Sequence, residues 1–192
     1  AGFIGVLQRT VALGIVALGQ TMVILVSSID LSVATLVSVS AVLASWWMQG
    51  ATAMMLPASL YVLAVAVGVG LVNGWLVTKL RVNALIATLG TGLILQGILS
   101  ASFNNFAGSV PEQFQVLAYG TIGPVPYSVL LMFGLALLGW FTLSRTRFGA
   151  HVYATGGNLE GARLAGIKTD RVIVATHVLC SLAAALTGLY LA

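Results

Sequence analysis

The chain has 192 residues, of which 59% are apolar and only 6% are Asp, Glu, Lys or Arg, with a formal net charge of +4. Soluble domains carry about 25% charged residues, so a chain this poor in charge could not keep a globular surface solvated. Its excess base does not point to nucleic acid either. Apart from Arg9, the basic residues fall in two short clusters, Lys79/Arg81 and Arg145–Arg171, the pattern of short loops retained on one side of a membrane.

The intervals 10–29, 31–78, 82–111, 113–144 and 172–192 contain no Asp, Glu, Lys or Arg. A spanning helix needs about 20 mostly apolar residues, and only helices and closed barrels satisfy their backbone in lipid. Barrel strands would alternate in polarity over about 10 residues, and these runs do not alternate. The expected fold is an all-α polytopic membrane protein, a single domain over 1–192 with about six transmembrane helices in contact with the lipid bilayer. Cys180 is the only cysteine, so no intrachain disulfide is possible. No cleavable signal peptide is visible. The chain begins without Met and stops inside an apolar run, and it reads as a fragment.

In chain order, Thr10 to Ser28 is expected as the first helix, interrupted by Ser27-Ser28-Ile29-Asp30-Leu31-Ser32. Asp30 suits the N-cap of a second helix, Leu31 to Met48, because its carboxylate can accept from free N–H groups there. Trp46-Trp47 suits a membrane–water interface. After a turn at 49–52, Pro57 lies in the first turn of a third helix reaching Thr78, and Ala84 to Ala101 forms a fourth. Residues 102–126, with Asn104, Asn105, Ser109, Pro111, Glu112, Gln113, Gly120, Gly123, Pro124 and Pro126 but no Lys or Arg, read as an external loop. Tyr127 to Leu143 is the fifth helix and Val172 to Ala192 the sixth. Counting crossings places Lys79/Arg81 and Arg145/Arg147 on one side, with three crossings before Lys79. A single broken crossing over 10–48 is the alternative. Gly70/Gly74, Ala64/Gly68 and Ala184/Gly188 have the small-x-x-x-small spacing that lets helices approach closely.

Between the last two spans lies a polar island, Thr146 to Arg171, holding half of the eight basic and four acidic residues. Within it Gly156-Gly157 breaks the chain and Asn158 caps a short helix, Leu159 to Ala165, with Glu160 in its first turn and Gly166 as its stop. Such a helix is too short to be stable alone. Arg163 and Leu164 give it a polar and an apolar handle, fitting it as a knob for a cleft on a partner. Gly156 to Gly161 also has the G-x-x-x-x-G skeleton of a phosphate loop. Ala162-Arg163 then stands where Lys and Ser/Thr are required, so ATP hydrolysis by this chain is not expected.

Glu160, Ala162 and Gly166 fit the pattern E-x-A-x-x-x-G, which resembles the Glu-Ala-Ala loop of ABC importer permeases, with Gly161 in place of the middle Ala. Val23-Ile24-Leu25 followed by Ser28-Ile29-Asp30-Leu31-Ser32-Val33 is similar to a signature of monosaccharide permeases, the ribose/xylose/arabinose/galactoside branch. Leu71 to Gly74, Ala84 to Gly90, and Phe148-Gly149 through Asn158 resemble further blocks of that family in order. Ser27-Ser28 stands where that family usually has Gly-Gly, and Ala34 where Gly often follows Val. The resemblance implies a multi-pass subunit of the bacterial inner membrane, pairing with a second permease copy. It implies cytoplasmic ATP-binding subunits docked on the coupling loop, residues 144–171, and a periplasmic sugar-binding protein outside. It further implies Gly157, Asn158, Glu160, Gly161, Ala162, Arg163 and Gly166 as the coupling residues, and sugar transfer by alternating access.

Ser28, Asp30 and Ser32 mark a helix break or gate. Asp30, the one acid inside apolar territory, is either a cap or hinge, or directly involved in transport. Gln20, Asn83 and Gln96 offer neutral groups for sugar hydroxyls along a path, against a plain packing role. His177 has no acid at helical spacing and reads as a packed histidine, and His151 as solvated. No Ser pairs with either His at a suggestive spacing, no metal-ligand cluster stands out, and no cofactor is implied. A stand-alone secondary transporter or channel is the alternative function.

Overall fold

The computed structural model describes residues 3–103, 108–123 and 125–192, so Asn104 and Asn105 lie outside the described residues. Nine helices follow in order among the described residues: α1 (Phe3–Leu25), α2 (Val33–Met48), α3 (Met55–Thr78), α4 (Ala84–Ser102), α5 (Glu112–Tyr119), α6 (Tyr127–Arg145), α7 (Arg147–Gly157), α8 (Leu159–Leu164) and α9 (Thr169–Leu191). A short 3-10 turn, Thr52–Met54, leads into α3. Two-residue strands, β1 (Thr121–Ile122) and β2 (Val125–Pro126), pair antiparallel between α5 and α6.

The protein is an all-α polytopic membrane protein. Four segments are long and apolar enough to span a bilayer, Thr52–Thr78, Ala84–Ser102, Tyr127–Arg145 and Thr169–Leu191, and shorter apolar helices run over Thr10–Leu25 and Val33–Met48. Leu89, Leu93, Phe133, Leu137 and Phe141 stand exposed on α4 and α6. On a soluble protein that surface would aggregate; in hydrocarbon it is the expected outer face.

The centre is α9, which packs against α1, α2 and α3. Its middle and far end meet α2 and α3 through Leu36, Ala44, Met48, Val62, Ala66, Ala184 and Ala185. Small residues set the spacing. A methyl on Gly70 would lie 2.6 Å from Val178 Cα, and one on Gly74 2.7 Å from Val174 Cα. The Gly70/Gly74 pair is therefore intrachain packing against α9, with two backbones in direct contact. The Ala64/Gly68 pair does not share this role, because Gly68 faces open space.

Helix order also distinguishes three crossings from one. The end of α1 lies beside α7 and the start of α9, through Val26, Val152, Val172 and Ile173. The end of α2 lies at the opposite end of the bundle, where Met48 packs with Ala58 and Gly50 N–H donates to Ser109 O at 3.0 Å. Hence α1, α2 and α3 run antiparallel in succession, as three crossings require and a single broken crossing would not. Thr78 then ends α3 beside α9's start, where Lys79 meets Asp170.

Several boundaries differ from the sequence expectation. The first helix ends at Leu25, not Ser28, and the second begins at Val33, not Leu31. The expected external loop, 102–126, is not bare loop, since Pro111 precedes the eight-residue α5. The last span begins at Thr169, not Val172, with Asp170 in its first turn. The island is mostly helical too: α7 runs through Gly156 and Gly157, because glycine at the end of a helix is tolerated where glycine in the middle is not.

Candidate functional site

Two features converge at the basic end of the bundle, the 26–32 break and the α7–α8 elbow. After α1, Ser28 N–H donates to Val23 O at 3.1 Å and Val26 N–H to Val23 O at 3.2 Å, while Ser27 takes a left-handed conformation, φ 57°. This is the geometry in which helices stop on glycine. Ser27 occupies it at a cost of about 1–2 kcal/mol relative to an unstrained residue.

Beyond Ser27 the chain makes one tertiary bond after another. Ser27 Oγ donates to Gly156 O at 3.1 Å on α7. Ser28 Oγ lies 3.0 Å from His177 Nε2 on α9. Leu31 N–H donates to Thr88 Oγ1 at 2.9 Å on α4. Asp30, fully buried, receives Ser32 N–H at 2.9 Å, Ser32 Oγ at 2.6 Å, Asn73 Nδ2 at 3.3 Å from α3, and His177 Nδ1 at 3.3 Å. A buried carboxylate is tolerable only with such donors. The imidazole bridges the two groups, with Nδ1 facing the carboxylate and Nε2 facing the Ser28 hydroxyl. The Gln20 amide completes the shell, its oxygen 3.2 Å from Asp30 N and its nitrogen 3.3 Å from Asp30 O in the orientation that satisfies both.

Asp30 is thus not a simple N-cap. Helix α2 starts three residues later, and the carboxylate joins α3 and α9 to the break. His177 is not merely packed, and Ser28 does meet a histidine, in the order Ser–His–Asp. Spacing along the chain hid both pairings, since the partners are 147 and 149 positions apart. Two of the four donors to the carboxylate lie on other helices, Asn73 on α3 and His177 on α9, so their effect is to fasten helices together.

The elbow is built locally. Thr146 Oγ1 accepts from Gly149 N–H at 3.2 Å and starts α7. Asn158 alone separates α7 from α8: its N–H donates to Ala154 O at 3.1 Å, closing α7, and its Oδ1 accepts from Gly161 N–H at 2.8 Å, capping α8. Gly166, φ 82°, ends the turn. Ala162 is the buried residue of α8, whereas Glu160 and Gly161 are exposed and Leu164 is 87% exposed. Arg163 is not a free polar handle: Nε donates to Thr169 Oγ1 at 3.0 Å and NH2 pairs with Asp170 Oδ1 at 3.0 Å. Asp170 Oδ2 also holds Lys79 at 2.9 Å. One carboxylate therefore ties α3, α8 and α9. A cleft of about 540 Å³, lined by Ser28, Arg81, Thr155, Gly156 and Arg163 among others, separates the break from α8.

The three residues expected along a sugar path are not brought together. Gln20 lies on Asp30; Asn83 caps α4 through Leu85 N–H at 2.9 Å; Gln96 is exposed 13 residues further along α4, about 20 Å away at the helical rise. His151 is exposed, and no group of three or more His, Cys, Asp or Glu is arranged for a metal among the described residues. Asn73 and Thr88, which hold the break, had been only parts of sequence blocks. A lone intramembrane acid and a lone intramembrane histidine, each needing a partner, were the signal that could have paired Asp30 with His177.

A bundle of apolar helices around a buried polar break, carrying a capped elbow at its basic end, defines the chain as a polytopic membrane protein. The chain belongs to the family described as branched-chain amino acid transport system / permease component, which matches residues 2–192. It is 35% identical over 189 residues to the ribose import permease protein RbsC of Escherichia coli (strain K12), covering 96% of this chain and 59% of that protein. It is 34% identical to the autoinducer 2 import system permease protein LsrC of Yersinia enterocolitica, covering 93% of this chain and 49% of the relative. It is also 34% identical to the L-arabinose ABC transporter permease protein AraH of Azospirillum brasilense, covering 98% and 56%. The chain therefore spans about half to three-fifths of the length of these relatives. No solved structure matches it.

Proposed function

We propose that this chain is part of the membrane subunit of an ATP-driven ABC importer in the bacterial inner membrane. It passes a monosaccharide, delivered by a periplasmic binding protein, through a pathway shared with a second permease copy. The basic end is cytoplasmic, as the retention of Lys and Arg on that side requires. ATP hydrolysis belongs to separate subunits that grip α8, since the chain lacks the phosphate-loop Lys and Ser/Thr. The ribose and L-arabinose names of its relatives support a monosaccharide as cargo.

One observation carries this reading: α8 is a six-residue helix with both ends capped that leaves Leu164 87% exposed. A helix this short has no stability of its own, and its two exposed leucines, Leu159 and Leu164, offer a partner an apolar contact that the chain itself leaves uncovered. The test is co-purification of the full-length permease with its ATP-binding subunit. Gly161→Trp or Leu164→Asp is expected to abolish the association while membrane insertion persists. Retained association and uptake in both variants would refute the docking role.

The buried Asp30–His177 pair favours a second reading, an ion-coupled carrier acting alone, because such carriers place acid–His pairs inside the membrane. Ribose uptake by the permease alone in proteoliposomes, driven by a proton gradient without ATP, would establish that reading and reject the first.

A further inference from the structure

We infer that Gly156, Ser27 and His177 are positioning residues that pass the displacement of α8 to the helix break at Asp30. The inference rests on α8 as the docking element and supplies the route by which docking reaches the membrane interior.

The route is short and has no slack. Only Asn158 lies between α7 and α8, bonded to both, so the two helices turn as one elbow. The last turn of α7 sits on the end of α1 so closely that a methyl on Gly156 would strike the Leu25 carbonyl oxygen, and it would lie 3.3 Å from Val26 Cα. Ser27 holds the same contact from the other side, its Oγ 3.1 Å from Gly156 O. Ser27 does this from a left-handed conformation that disfavours any side chain, and strain of this kind persists where surrounding structure imposes it. The next residue hands the contact on: Ser28 to His177 at 3.0 Å, His177 to Asp30 at 3.3 Å. From Asp30 and Ser32 it reaches Asn73 at 3.3 and 3.0 Å, and from Leu31 it reaches Thr88 at 2.9 Å.

Segment 27–32 is therefore a hub. Consecutive bonds attach it to α7, α9, α3 and α4, and packed contacts of this kind switch between discrete arrangements rather than deform smoothly. The cleft of about 540 Å³ beside it, lined also by Val77, Thr78, Arg81 and Ala84, leaves room for α7 and the break to shift together toward the ends of α3 and α4. A partner that pulls α8 must move Gly156, and Gly156 cannot move without Ser27.

Hydrogen exchange on the full-length permease in nanodiscs, with no partner present, reads this route whether or not α8 docks an ATPase. Gly156→Ala is expected to speed exchange of amides 26–32 by about fivefold or more, and Ser27→Ala by about twofold or more. Gly157→Ala, whose methyl enters open space, is the control and is expected to change nothing there. Equal exchange in Gly156→Ala and Gly157→Ala overturns the route; if Gly156→Ala does not insert, wild-type exchange in Ser27→Ala overturns it.

A second arm adds the ATP-binding partner and MgATP. Exchange at 26–32 is expected to change by about threefold or more in the wild type, and not in Ser27→Ala or His177→Gln, both of which still bind the partner; Ser27→Asn, which tolerates the left-handed conformation and keeps a donor for Gly156 O, restores it. A nucleotide-dependent change at α8 with none at 26–32 rejects the inference. Failure of the partner to bind the wild type rejects the importer reading instead, and the first arm alone then decides the route.

Discussion

His177 Nδ1 and Asp30 Oδ2 stand 3.3 Å apart with both side chains fully buried, although 147 positions separate them. The pair joins the middle of α9 to the link between α1 and α2. His177 is eight residues into α9, about 12 Å from its basic end, so the contact lies inside the membrane region. That depth also accounts for the shortness of α2. Its 16 residues cover about 24 Å, less than the bilayer's hydrocarbon core of about 30 Å; the break covers the remainder and needs every bond it makes.

Asp30→Ala takes the acceptor from His177 Nδ1 and from the Ser32 N–H and hydroxyl, all of them buried. Stranding buried donors costs about 1–3 kcal/mol each, so the variant is expected to lose its folded form or show a large drop in thermal midpoint in detergent. Asp30→Asn keeps an acceptor oxygen and is expected to fold. Its uptake separates hinge from charge: wild-type transport in the Asn variant would exclude a charge-dependent role.

Asn158→Ala removes the side-chain cap at the start of α8. The loss is about 1 kcal/mol, concentrated on a helix with few other contacts, so exchange at residues 159–164 is expected to rise about fivefold while 169–191 stays protected. Asn158→Asp, which retains the accepting oxygen, is expected to restore protection. No difference between Ala and Asp would remove the cap from the account.

Gly70→Val and Gly74→Val force side chains into the α9 backbone. Overpacking of this kind costs about 1–3 kcal/mol, and both are expected to lower the thermal midpoint. Gly68→Val, two residues from Gly70 but facing open space, is the matched control and should behave as wild type. A midpoint drop confined to Gly68→Val would contradict the described packing of α3 on α9.

Asp170→Asn releases Lys79 and Arg163 together. Both cations are half-exposed or more, with side-chain exposures of 61% and 50%, and exposed pairs contribute about 0–1 kcal/mol. Global stability is therefore expected to change little. The local effect is larger: exchange at α8 should rise and become insensitive to salt, whereas wild-type α8 loosens as salt is added. A wild-type α8 that is equally indifferent to salt would show the ion pairs to be idle.

Much of the fold was legible because membrane helices announce themselves by length and by missing charge. The five charge-free intervals located six apolar helices, and Asn158, Glu160 and Gly166 marked α8 through local capping rules that act within a few residues. Local rules failed where they met an exception. Gly156-Gly157 looked like a break, yet α7 continues through both, held by Thr146 at its start and by Val152 and Thr155 buried on its inner face. The partners of Asp30 were out of reach for a different reason. Asn73 is 43 positions away and His177 147, and helical spacing links only residues three or four apart. What joins them is the antiparallel course of three helices, a property of the bundle and not of any one stretch.

Asp170 has two oxygens and two cations, one for each, from α3 and from α8. A carboxylate on an arriving partner that takes Arg163 would leave Asp170 wholly to Lys79, so the number of paired charges stays nearly constant while their pairing changes. Association by such an exchange desolvates no lone ion and therefore meets little electrostatic barrier. It is also readily undone: once the partner withdraws, Arg163 returns to a neighbour on its own chain only seven positions away. If α8 is seized and let go in each cycle as proposed, Arg163 is a charge that always has somewhere to return.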